Sequence, residues 1–104
     1  MSDATLAEDI TKTITYLQQH GWTQEYFCKF DGKCCLVGAV HRAVGDENRL
    51  SNVLELLRLE IGASSRRSRL DTIAEWNDAE GRTFSEVINL LKRARTTALS
   101  RIDT

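Results

Sequence analysis

The sequence predicts an all-α fold, a compact bundle of four to five helices with an irregular arm or small β-hairpin near residues 22–33. Three observations carry that reading. Apolar residues recur at helical spacing in five separate stretches. Proline is absent, and Gly21, Gly45 and Gly62 each close one of those stretches, where glycine caps belong. Thr83-Phe84-Ser85-Glu86 matches the capping box that opens a helix. At 104 residues the chain can bury one modest core but not two, so residues 1–104 read as a single helical domain.

The first helix is expected from about Thr5 to His20. Leu6, Ile10, Ile14 and Leu17 form its apolar stripe, and Glu8 and Asp9 sit in the first turns, where the helix dipole favours acids. His20 reads as a last-turn residue facing the C-terminal carbonyls. Residues 22–33 break the helical pattern. Glu25-Tyr26-Phe27-Cys28-Lys29-Phe30 is rich in aromatics, and Asp31-Gly32 is a strong turn signal. A lone hairpin is marginal, so this segment must lie against the helices. The second helix is expected from about Cys34 to Val44. Leu36, Val37, Ala39, Val40, Ala43 and Val44 leave it little polar surface, which marks a central helix. Gly38 costs helix propensity there, and its presence suggests close approach of another backbone.

The third helix is expected from about Arg49 to Ile61, burying Leu50, Val53, Leu54, Leu57 and Ile61. Leu56 and Leu59 either widen that face or form an exposed apolar strip. The fourth is expected from Ser64 or Ser65 to Trp76, with Leu70, Ile73 and Ala74 inward. Arg66, Arg67 and Arg69 would occupy its first turns, the unfavourable end for cations. They read as a solvated face or as a contact for an anion or acidic partner. The fifth begins at the capping box. Phe84, Val87, Ile88, Leu91, Ala94, Ala98 and Ile102 follow one face.

Composition narrows the function classes. Hydrophobic residues make up 41% and charged residues 28%, which is ordinary for a globular protein. The net charge is −1, and a nucleic-acid binder usually carries a stronger basic excess. A helix-turn-helix could use the arginine-bearing fourth helix, but little base-reading chemistry surrounds it. No apolar run approaches the roughly 20 residues of a membrane span. Met1-Ser2-Asp3-Ala4-Thr5 has neither the basic nor the apolar region of a signal peptide. A cytoplasmic protein with no membrane partner is therefore expected. The odd count of three cysteines, Cys28, Cys34 and Cys35, then reads as reduced thiols.

Several chemistries fail on spacing. Cys35 and His41 on one helix point about 120° apart, and Cys34 and His41 stand about 10 Å apart along the axis. Neither pair makes a nucleophile and base. Cys28, Cys34, Cys35 and His41 lack zinc-ligand spacing. A calcium loop aligned on Gly81 would place Trp76 first and Val87 twelfth, and neither can coordinate calcium. No glycine-rich phosphate loop or nucleophile elbow is present. No catalytic residue, metal or cofactor is expected. Asn77, Asp78 and Gly81 read as a helix–helix turn, and Thr83 and Glu86 as the cap that follows.

Certain pieces form a recognisable set: Gly21-Trp22, Cys35-Leu36-Val37-Gly38-Ala39, Trp76-Asn77-Asp78, Gly81-Arg82-Thr83 and Glu86-Val87. Together they resemble a family of small uncharacterised proteins of actinobacteria and their bacteriophages. Its pattern is G-W, then C-L-x-G-A, then W-N-D-x-x-G-R-T-x-x-E-V. The resemblance spans roughly residues 6–94. It implies an actinobacterial or phage source but supplies neither substrate nor catalytic residues. Read physically, Cys35 and Gly38 are packing positions, while Arg82 has no evident structural need.

Two function classes follow. The first is a non-enzymatic protein-binding or regulatory module, such as a phage-encoded modifier of a host protein. Its expected partner-binding residues are Trp22, Tyr26, Phe27 and Phe30, with Arg66, Arg67 and Arg82. Four aromatics within nine residues exceed what a short arm needs to anchor itself, and aromatics dominate interface hot spots. The partner is a different protein or a second copy in a homodimer. The second class is a small-ligand or catalytic site around Cys35, Trp76, Asn77 and Asp78.

Overall fold

The apolar stripes become five helices in the computed structural model, which describes residues 3–62 and 68–101. They are α1 (Asp3–His20), α2 (Leu36–Val44), α3 (Glu47–Ile61), α4 (Arg69–Asp78) and α5 (Phe84–Ser100). No sheet forms among the described residues, and the all-α expectation holds.

Caps explain where the helices start. Cys35 is extended and stands outside α2, accepting the Gly38 N–H on its sulfur, so the helix opens at Leu36 rather than at Cys34. Asp46 accepts the Arg49 N–H and starts α3 at Glu47. Ser68 accepts the Asp71 N–H and caps α4, which begins at Arg69; the expected start at Ser64 or Ser65 lies outside the described residues. Arg66, Arg67 and Ile102 lie outside the described residues. The helix then continues through Asn77 and Asp78, which the sequence had suggested as a turn. The turn proper is Ala79 to Arg82, where Gly81 takes φ +81°, a conformation side chains disfavour.

The capping box at α5 is complete. The Thr83 hydroxyl accepts the Glu86 N–H, and the Glu86 carboxylate accepts the Thr83 N–H at 2.9 Å. Thr83→Ala is expected to cost about 1 kcal/mol in chemical denaturation. The Thr83 N–H holds the Glu86 carboxyl below the ordinary glutamate range, assisted by the Thr83 hydroxyl and the Arg82 charge. A depressed folded pKa stabilises the fold above the unfolded value and loses that contribution as pH falls through the folded value. Glu86→Gln should therefore flatten part of the acid limb of the stability curve. An unchanged acid limb would mean the reciprocal half of the box is not formed.

α2 is the central helix, as its composition predicts. It packs on α1, α3 and α4, while α5 lies against α1 and α3. Leu36, Val37, Gly38, Ala39 and Val40 are buried in it and join one cluster with Ile10, Leu17, Leu57, Ile73 and Leu90. Leu56 is buried and Leu59 exposed, so α3 widens its face by one residue and leaves the other in solvent. Leu70 corrects the sequence reading. It shares the stripe of Ile73 and Asn77 but lies in the first turn of α4, on a groove, and is 50% exposed. Asp9 is fully buried within the α1 stripe, where Arg49 of α3 holds its carboxylate with two hydrogen bonds.

Candidate functional site

The segment between α1 and α2 is an irregular arm rather than a regular hairpin, and its backbone is tied at several points. The Cys34 N–H donates to the Gly21 carbonyl and the Thr23 N–H to the Cys34 carbonyl, forming a parallel bridge from Trp22 to Cys34. Further out, Cys28 pairs antiparallel with Cys34, and the Lys29 N–H donates to the Lys33 carbonyl at 2.7 Å. The Tyr16 hydroxyl donates to the Gly32 carbonyl and fixes the tip to α1.

Cys28 and Cys34 form a disulfide. This overturns the expectation of three reduced thiols for two of them. The arm folds back so that these two residues face each other, a pairing that cysteine count cannot reveal. Cys35 is the free cysteine, and it is buried. Burial pushes its thiol above the ordinary value, against a smaller opposing effect of the backbone N–H groups at the start of α2. A raised pKa disfavours the thiolate and argues against a nucleophile. Brief alkylation of the native protein should leave Cys35 unmodified, and non-reducing peptide mapping should recover the 28–34 link. Rapid labelling of Cys35 near neutral pH would contradict this packing.

The base of the arm is held by Asn77, which is fully buried at the end of α4. Its Oδ1 accepts from Trp22 Nε1 at 2.6 Å and from the Leu36 N–H at 3.0 Å. Its Nδ2 donates to the Thr23 carbonyl and to Asp78. One amide thus joins the arm, the start of α2 and α4. Asp78 accepts the Glu25 N–H at 2.8 Å, and Gln24 donates to the carbonyls of Asn77 and Ala79. Spacing alone gave no sign of this role. The neighbouring Phe27 carbonyl accepts the Cys35 N–H and lies directly over Gly38. The backbone that Gly38 was expected to meet is this one.

Among the proposed partner residues, Trp22 is half-buried, stacked on Phe84 and bonded to Asn77. The other three rings are exposed: Tyr26 by 58%, Phe27 by 51%, and Phe30 by 113%, as open as in an extended peptide. The Phe27 ring meets His41 edge-on. Arg82 does have a structural use. Its guanidinium lies 3.9 Å over the Trp76 ring, donates to the Trp76 carbonyl and reaches Glu86, joining the end of α4 to the start of α5.

Between the arm and α4 lies a groove of about 450 Å³. Buried Cys35 and Val37 form its floor, Tyr26, Phe27 and Leu70 its exposed apolar walls, and Glu25, Asp71 and Asp78 its acidic margin. Trp76 and Asn77 do not line it, so the residues first grouped around Cys35 divide between groove and scaffold. No group of three or more His, Cys, Asp or Glu among the described residues is placed to hold a metal ion. No described helix is long and apolar enough to cross a membrane.

The profile of DUF6197, a family of unknown function, matches residues 1–97. The chain belongs to this family. The match runs through α1 to α4 and through most of α5. No curated protein and no solved structure matches the sequence.

Proposed function

We propose that this DUF6197 chain is a non-enzymatic protein-binding module that presents the tip of its arm to a partner. The observation that carries the reading is Phe30, fully exposed on a loop closed by a disulfide and bonded to α1. A large apolar ring held in water on a fixed backbone loses little conformational freedom on binding, and such preorganisation favours affinity. Tyr26 lines the same tip groove as Phe30, with Lys29, Asp31 and Arg42 as polar neighbours. The raised Cys35 thiol speaks against the catalytic alternative. The resemblance to small proteins of actinobacteria and their phages supports a source in that group and a role as modifier of a host protein.

Phe30→Ala should change stability by less than about 0.5 kcal/mol, as surface substitutions do. Replacing Phe30 by a photo-crosslinking phenylalanine should give a discrete protein adduct in a nuclease-treated actinobacterial lysate. The same group at exposed Lys92 on α5 should not. An adduct of twice the chain's mass identifies a second copy as the partner. Identical diffuse labelling from both positions would sink the reading.

A further inference from the structure

We propose that the groove between the arm and α4 takes a basic segment of the protein partner, its apolar side chain seated on Tyr26, Phe27 and Leu70 and a lysine or arginine beside Glu25, Asp71 and Asp78. The inference rests on the protein-binding reading and names the chemistry of the partner.

Two observations converge on this groove. Six large hydrophobic side chains among the described residues are exposed, and three of them, Tyr26, Phe27 and Leu70, line it together. Scattered exposed hydrophobics are ordinary, but clustered ones rimmed by polar groups mark interaction sites. The second observation is charge. Three carboxylates line the groove and His41 is the one basic residue of its lining, while the Lys29 ammonium stands over the ring of Tyr26 at 5.7 Å. Four other surface grooves each mix acids with lysines or arginines. A single sign over an apolar floor selects a cationic segment and repels phosphate, which sets nucleic acid aside.

The wall of the groove is also held in place at a cost. Glu25 takes φ +72°, the one non-glycine residue with positive φ among the described residues. Such a conformation costs about 1–2 kcal/mol for a residue with a side chain. The Asp78 carboxylate holds it through the Glu25 N–H, and the next two residues are the exposed Tyr26 and Phe27. Strain kept by a specific contact beside an exposed apolar surface fits a preformed binding wall.

The test is to pan a displayed library of random peptides on the full chain and measure the recovered peptides by fluorescence anisotropy. Recovered sequences should place lysine or arginine beside a large apolar residue. Leu70→Ser should weaken them about tenfold, the scale of a lost apolar anchor. Asp71→Asn and added salt should weaken them by several-fold, because rim charges are screened. Both positions are exposed on α4, and circular dichroism checks that each variant folds. Phe30→Ala should leave this binding unchanged, since Phe30 does not line the groove. Peptides that are acidic or uncharged, or that ignore Leu70→Ser, overturn the proposal, as does failure to recover any. Peptides that depend on Phe30 but not Leu70 overturn the groove while leaving the arm tip as the binding surface. Failure of crosslinking at Phe30 bears on the wider reading alone.

Discussion

Gly38→Ala is expected to destabilise the protein by about 3 kcal/mol, the upper end of overpacking costs. An added Cβ would stand 2.0 Å from the Phe27 carbonyl oxygen and 2.9 Å from the Cys28 sulfur. The first contact is backbone, and the second is a disulfide sulfur, so neither can swing aside. In an open helix the same change would gain up to about 1 kcal/mol of propensity. The clash reverses that sign. Relief requires the arm to lift from α2, which breaks the bond from the Cys35 N–H to the Phe27 carbonyl. The urea midpoint should fall by about 1–3 M for slopes typical of small proteins. Cys35 should alkylate faster in the same variant, because the arm no longer covers it. A midpoint that holds or rises would show that the arm does not rest on α2.

Asn77→Ala should cost about 3 kcal/mol. It removes the acceptor shared by the Trp22 indole N–H and the Leu36 N–H, and each buried donor left without a partner costs about 1–3 kcal/mol. Trp22 is half-buried and can recover part of that from water, whereas the Leu36 bond is buried. Asn77→Asp separates this role from a turn. Asparagine and aspartate serve a turn about equally. Here aspartate would lose the donor to the Thr23 carbonyl and set a second carboxylate against Asp78. Both variants should therefore melt well below the parent, with altered tryptophan emission from Trp22. A stable Asn77→Asp protein would return Asn77 to the turn role.

What the sequence determined by itself is local. Helix positions follow from the 3.6-residue recurrence of apolar side chains. The Thr83–Glu86 box and the glycines after His20, Val44 and Ile61 act within one turn of the chain. Such signals are complete within a few residues, so they survive the absence of any three-dimensional information. Gly38 was legible for a related reason: a glycine in an apolar helix has few uses besides admitting another backbone. Serines at 64, 65 and 68 are equally good caps by type, so residue type alone did not single out Ser68, which caps α4.

Tertiary structure decided everything that joins residues far apart. Asn77 meets Trp22 and Leu36 across 55 and 41 residues, and no spacing rule connects them. Cys28 was paired by the fold of the arm, although an odd cysteine count favoured free thiols. Asp9 did leave a trace, an acid set in the apolar stripe between Leu6 and Thr13, but its partner Arg49 lies on another helix. Burial behaves the same way. Leu70 has the right register to face inward, yet it overhangs a groove, because whether a stripe is covered depends on which elements pack beyond it. The candidate site is made from such long-range choices. An arm, a helix start and a helix end are brought together by one buried amide, and their exposed rings and carboxylates acquire a common surface only then.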